Sequence, residues 1–201
     1  MLNELLKRYP ALWECKNDIL NAEKAIIDLY ENRGKLLICG NGGSCADSEH
    51  IAGELMKGFM KQRHLSPEQS EGLNPEIAAK LQNGLPCIPL TSFSALNTAF
   101  CNDVEPELVF AQPLWVLGNE GDMLIAISTS GNSKNVVSAA KVAKAKGMTV
   151  IALTGKSGGK LKDIADITIA VPETETFKVQ ELHLPIYHYL CAKVEAHFYE
   201  V

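Results

Sequence analysis

His50 and Glu54 stand one helical turn apart in a stretch that begins Cys39-Gly40-Asn41-Gly42-Gly43-Ser44. Residues four apart share a helix face, so an imidazole and a carboxylate would project together. Such a pair serves as metal ligands, as an acid/base pair, or as a solvated polar face. A second polar group, Gln180, Glu181, His183 and His188, interrupts an otherwise apolar helical pattern near the C-terminus. Gln180 and His188 share a side approximately, but spacing alone does not choose among the four. A third stretch, Ser128-Thr129-Ser130-Gly131-Asn132-Ser133, offers four hydroxyls ahead of a helix. Hydroxyls and helix N-terminal N–H groups suit a phosphate monoester, and the same residues also make an ordinary helix cap.

The elements around these groups must bring them together. Residues 36–39 form an apolar run that reads as a buried strand, followed by a glycine-rich turn and a helix. Glycines there let the backbone approach a ligand, and the helix dipole favours an anion. The turn is not a dinucleotide fingerprint, because Cys45 stands where G-x-G-x-x-G needs its last glycine. Residues 155–157 are not a phosphate-binding P-loop, because Val150 replaces the required first glycine. NAD and ATP are therefore set aside. Further apolar runs at 87–90, 123–127, 149–153 and 167–171 alternate with helical segments. Helices are expected at 94–101, 105–118 and 134–146, with a short one ending at Ala165 and a long one over 177–199. Five strands alternating with helices predict a parallel sheet covered on both faces. Ligands in such sheets sit beyond the strand C-termini at a topological switch point, so the loops at Gly40 and Ser128 would face one crevice.

Residues 1–31 read as a helical arm, with Pro10 suited to the first turn of a second helix and Ile19, Ala22, Ile26 and Leu29 forming an apolar stripe. Residues 61–86 are polar and rich in turn signals, which predicts a surface excursion with a short helix over 76–82. His64 and His197 read as surface residues.

The chain has 201 residues, enough to bury a core without disulfides. A net charge of −5 argues against non-specific nucleic-acid binding. No apolar run approaches the length of a membrane span, and the first residues lack a signal-peptide layout. The six cysteines show no C-x-x-C spacing, which points to free thiols in a reducing cytoplasm.

Taken together, residues 39–44, His50, Glu54, residues 127–133, residues 153–156, and Gln180 to His188 resemble a SIS (sugar isomerase) domain, with greatest similarity to the phosphoheptose isomerase group. The resemblance runs over about residues 30–199, interrupted by the 61–86 excursion. It implies an α/β fold: a flavodoxin-like αβα sandwich with a five-stranded parallel sheet, a single SIS domain over 33–201 and an N-terminal helical arm over 1–32. It implies a homotetramer with the active site between subunits. Carried over by position, Asn41, Gly42, Gly43, Ser44, Asn102, Asp103 and Gln180 would contact substrate, and Ser128, Thr129, Ser130 and Ser133 would hold its phosphate. His50, Glu54, Gln180 and His188 match the zinc ligands of metal-containing members, and Glu54 and His188 match the proposed catalytic pair. The activity implied is ketose–aldose isomerisation, most closely of sedoheptulose 7-phosphate, in the cytoplasm, with no nucleic-acid or membrane partner. Non-enzymatic SIS proteins that bind a replication initiator are an alternative, as are SIS sugar-phosphate sensors. The former lack the acid/base residues that this chain keeps at Glu54 and His188. The length of the excursion, and the residues over 174–179, depart from the heptose-enzyme pattern and bear on which sugar is used.

Overall fold

The computed structural model describes residues 1–199. Five strands form one parallel sheet: β1 (Leu36–Cys39), β2 (Cys87–Pro89), β3 (Met123–Ser128), β4 (Thr149–Thr154) and β5 (Ile167–Ala170), in the order β2-β1-β3-β4-β5. The chain leaves β1 toward β2 on one side and returns to β3 on the other. β1 and β3 are hydrogen-bonded neighbours, with Leu36 opposite Met123 and Cys39 opposite Ala126. This is the flavodoxin-like order, and its switch point lies between β1 and β3. Pro89 is tolerated because β2 is an edge strand, where a missing N–H leaves no ladder partner unpaired.

Alternate residues of the strands feed two separate cores, as a pleated sheet requires. Ile38, Ile125, Ile127, Ile151 and Leu153 point into one core, built with α1 (Leu2–Arg8), α2 (Lys16–Glu31), α3 (Gly43–Met56) and α9 (Thr176–Phe198). Leu37, Cys39, Leu124, Ala126, Val150 and Ala152 point into the other, under α7 (Ala111–Leu117) and α8 (Lys134–Ala145). The sandwich is thus helix–sheet–helix. The N-terminal arm shares the first core, since Leu5, Leu6, Leu12 and the stripe Ile19, Ala22, Ile26 and Leu29 are all buried there. The last two residues of the expected 33–201 domain lie outside the described residues.

Some elements differ from the sequence expectation. Between α1 and α2, residues Pro10–Cys15 form a 3-10 turn rather than the start of the second helix. Its three-residue repeat stacks Leu12 and Cys15 on one side, and both are buried. The single helix expected over 105–118 is split into a 3-10 turn, Pro106–Leu108, and α7. Pro113 forces this division. It lacks an N–H and fits only the first turn of a helix, where the donors have no intrahelical partner. The short helix ending at Ala165 is a 3-10 turn, Gly159–Asp163. The excursion carries α4 (Pro67–Ser70) and α5 (Pro75–Ala78) on an exposed lobe, closed by an isolated antiparallel bridge between His64 and Gln82. Its base is not surface, however, because Arg63 and Leu85 are buried. The remaining helix, α6 (Ser94–Asp103), has no fully buried residue.

Candidate active site

Two loops meet at the switch point. After β1 the chain turns through Gly42, whose φ of +56° and ψ of −120° suit only glycine, and enters α3 at Gly43. After β3 the loop 129–133 leads into α8. The side-chain amides of Asn41 and Asn135 exchange two hydrogen bonds of 2.9 Å and tie the first loop to the start of α8. Asn135 has no counterpart in the sequence expectation, since one asparagine in a polar helix start carries no signal by itself.

The hydroxyls are not equivalent. Ser128 is buried, and its Oγ lies 2.9 Å from Ser133 Oγ and accepts from Ser133 N at 3.4 Å. Those two hydroxyls brace the loop. Ser130 is exposed and its Oγ accepts from Asn132 N at 3.1 Å; Thr129 is half-buried beside it. Asn41, Gly42 and Gly43 are exposed, whereas Ser44 is buried in the first turn of α3, where its carbonyl accepts from Ser48 Oγ. Asn102 and Asp103 lie exposed at the end of α6, with Asn102 Nδ2 donating to Asp103 Oδ1 at 2.8 Å.

The long last helix places its four polar residues in different surroundings. Gln180 lies against the first loop: a Cβ at Gly43 would fall 2.7 Å from Gln180 Nε2. Glu181 is exposed. His183 is fully buried, bonds the carbonyl of Thr154 at 3.2 Å, and has its pKa lowered to about 4 by burial. It is a structural residue of the β4 end. His188 meets α3, with its ring centroid 5.0 Å from that of His50 and the planes at 82°. Gly43 to His50 spans seven residues of α3, and Gln180 to His188 eight of α9. The two helices therefore run alongside in the same direction, and the His50–His188 cluster lies about 12 Å down their axes from the first loop.

His50 sits in a defined network. Its Nε2 lies 3.1 Å from Glu54 Oε1, and its Nδ1 lies 3.0 Å from Tyr187 Oη. Tyr187 Oη donates to Asp47 Oδ1 at 3.2 Å, so its oxygen accepts from His50 Nδ1–H. Burial raises the Asp47 and Tyr187 pKa values. Lys57 Nζ donates to Glu54 Oε2 at 3.2 Å. Burial first, and the neighbouring His50 second, lower the His188 pKa, so its ring is neutral near pH 7. Its Nε2 is buried without a hydrogen-bond partner among the described residues. The Phe59 ring also packs on it, with centroids 5.6 Å apart. Asp47, Phe59 and Tyr187 escaped the sequence reading because their role depends on the α3–α9 register.

Two imidazoles, one of them with its Nε2 buried and orphaned, and a carboxylate are donors of the kind that zinc takes. Among the described residues no three His, Cys, Asp or Glu side chains form a ready cage. The contact between His50 and Glu54 would have to open around an ion.

A flavodoxin-like parallel sheet with Gly-, Asn- and hydroxyl-bearing loops at its switch point, and an imidazole–carboxylate cluster on two helices beside it, makes this an α/β protein with a candidate sugar-phosphate site. The SIS domain family model matches residues 3–155, and the chain belongs to that family. It is 41% identical over 173 residues to a phosphoheptose isomerase of Helicobacter pylori strain P12, covering 86% of this chain and 80% of that one. It is 39% identical to a phosphoheptose isomerase of Nitratiruptor sp., over 98% of this chain and 96% of that one. Among solved structures, a phosphoheptose isomerase from Neisseria gonorrhoeae superposes with a TM-score of 0.77 at 31% identity, covering 96% of each chain. One from Francisella tularensis gives 0.75 at 35% identity, covering 96% of this chain and 95% of that one.

Proposed function

We propose that this protein is a phosphosugar isomerase that interconverts sedoheptulose 7-phosphate and D-glycero-D-manno-heptose 7-phosphate through an enediol. The observation that carries the proposal is that one sheet edge carries the hydroxyl-lined loop 129–133, whose following helix is tied to the first loop through Asn135 and Asn41, while the His50–Glu54–His188 cluster lies about 12 Å along α3, in a chain about 40% identical to phosphoheptose isomerases along most of its length.

The residues divide the work by type. Thr129 and Ser130, with the N-terminal N–H groups of α8, suit the phosphate, and Ser128 and Ser133 hold the loop in shape. Asn41, Gly42, Gly43 and Gln180 line the first loop and suit the sugar hydroxyls, with Asn102 and Asp103 completing the substrate contacts by position. Isomerisation moves a proton between adjacent carbons, which needs a base at carbon and an acid near the carbonyl oxygen. Glu54 takes the proton from C1 of the ketose. His188, neutral near pH 7, holds or donates a proton at the neighbouring oxygen. His50, Glu54 and His188 would hold a zinc ion, which would supply a Lewis acid for the carbonyl; Gln180, matched by position as a fourth ligand, lies against Gly43, about 12 Å along α9 from His188, and faces the first loop.

The assembly we propose is a homotetramer. Trp13, Trp115, Val116 and Phe177 are each more than half exposed, which suits a chain that covers apolar surface with further copies. No described helix is long and apolar enough to cross a membrane. With cysteines that are all free, this supports the cytoplasm as the place of action.

Turnover in deuterium oxide tests the proton-transfer route. Deuterium entering C2 of the aldose is the expected result. Complete retention of the C1 hydrogen in the product, as in a hydride shift, would contradict it.

A further inference from the structure

Arg63 and Glu195 form a buried ion pair that the catalytic chemistry does not use directly. Their side chains are 0% and 1% exposed, and Arg63 Nε donates to Glu195 Oε1 at 2.9 Å. Each partner also fastens a second element. Arg63 Nη1 donates to the Leu55 carbonyl at 2.7 Å and Nη2 to the Glu54 carbonyl at 3.2 Å. These are last-turn carbonyls of α3, which have no intrahelical donor. Glu195 accepts from Phe59 N at 2.8 Å and from Met60 N at 2.7 Å. Glu195 lies seven residues beyond His188, two turns along α9. The guanidinium is covered by the Tyr199 ring at 4.7 Å.

The loop between α3 and the excursion is thereby fixed to α9 at both of its ends. Phe59, whose N–H is held by Glu195, is one of the rings that pack on His188. Glu54, whose carbonyl is held by Arg63, is the proposed base. Burial alone would push the Glu195 carboxyl up, yet the bonds from Phe59, Met60 and Arg63 outweigh it and hold its pKa below the usual glutamate value. The pair therefore stays ionised. A buried ion pair is a poor source of stability compared with apolar packing of the same volume, so its value here lies in geometry.

We infer that Arg63 and Glu195 are positioning residues for the isomerase reaction, setting Glu54 on α3 and His188 on α9 in one fixed relationship. This rests on the isomerase reading for its kinetic consequence. Its structural consequence, the orientation of His188, stands independently.

The test uses the 201-residue chain in four variants: Glu195→Gln, the paired change Arg63→Met with Glu195→Leu, Arg63→Lys, and Ile169→Ala as a destabilised control in the core strand β5. The paired change fills the site without leaving a lone buried charge, and kcat is compared per folded molecule because the Phe59 and Met60 N–H groups and the Glu54 and Leu55 carbonyls lose their partners. In protein with 13C-labelled histidine, assigned with His188→Gln, the His188 ring signal is expected to shift or broaden in the first two variants and not in Ile169→Ala. With sedoheptulose 7-phosphate, kcat is expected to fall tenfold or more in the paired variant while KM changes less than twofold, because the phosphate loop is untouched. Arg63→Lys is expected to retain only part of kcat, since one ammonium cannot serve the Nε, Nη1 and Nη2 contacts at once. A His188 signal that stays in place in the charge variants overturns the inference. So does kcat equal to that of Ile169→Ala at the same folded fraction. Absence of turnover in the wild type would remove the isomerase reading and leave the His188 signal to decide the clamp.

Discussion

The imidazoles of His50 and His188, carried by different helices, meet edge to face with centroids 5.0 Å apart. α3 supplies one and α9 the other, and Glu54 lies 3.1 Å beyond His50 on the same face of α3. The geometry of the candidate cluster therefore depends on one helix–helix register.

Glu54→Gln keeps the shape of the side chain and removes its basicity. The expected outcome is loss of at least about 100-fold in kcat, the range of a general base, with a melting temperature close to that of wild type. Steady-state kinetics and calorimetry check it. Activity near wild type would take Glu54 out of proton transfer.

Ser130→Ala removes an exposed hydroxyl that braces only Asn132 N. A lost bond to a charged group is worth about 1.5–3 kcal/mol, so KM is expected to rise by roughly 10- to 100-fold with little loss of stability. Ser128→Ala breaks the buried link to Ser133 and is expected to lower the melting temperature as well. Paired melting and KM measurements separate the two roles. A collapse of melting with unchanged KM in Ser130→Ala would make it a structural cap.

Tyr187→Phe removes the acceptor for His50 Nδ1–H and leaves Asp47 without its donor. Partners of this kind orient metal-binding histidines, and their loss weakens metal affinity by about 10- to 100-fold. Competition with a chromophoric zinc chelator measures it. Unchanged zinc affinity would show that His50 needs no outer partner.

His183 gives the acid limb of stability a named source. Its folded-state pKa, lowered to about 4 by burial, lies below the ordinary value of 6.5. The unfolded chain takes up a proton first as pH falls. Stability from this residue is thus complete above about pH 6.5 and declines toward pH 4, by about 3 kcal/mol in all. His183→Gln is expected to flatten the stability profile over that window in urea titrations. An unchanged slope would mean that other groups dominate.

The sheet was legible because each strand is an apolar run bounded by turn residues, and because β1 and β3 are followed by loops rich in Gly, Ser and Asn. The family resemblance then assigned His188 on α9, whereas spacing alone could not separate it from His183. Both histidines lie on an apolar helix, and only the packing of α9 against β4 and α3 shows that His183 is buried and His188 borders the site. Arg63 was hidden for a related reason. It follows a Gly-, Lys- and Gln-containing stretch that reads as surface, and its partner Glu195 is 132 residues away. A charged residue in a polar segment gives no sign that it is buried until the partner is in view. The apolar pattern over 105–118 does not show the break between the 3-10 turn at Pro106–Leu108 and α7; Pro113, which fits only the first turn of a helix, marks it.

The central claim is most directly tested by incubating the purified protein with sedoheptulose 7-phosphate and following the aldose product by NMR. A chelator-treated and a zinc-supplemented sample run alongside. The account predicts conversion to D-glycero-D-manno-heptose 7-phosphate, reduced by the chelator and restored by zinc. No conversion in any of the three samples would contradict the isomerase reading.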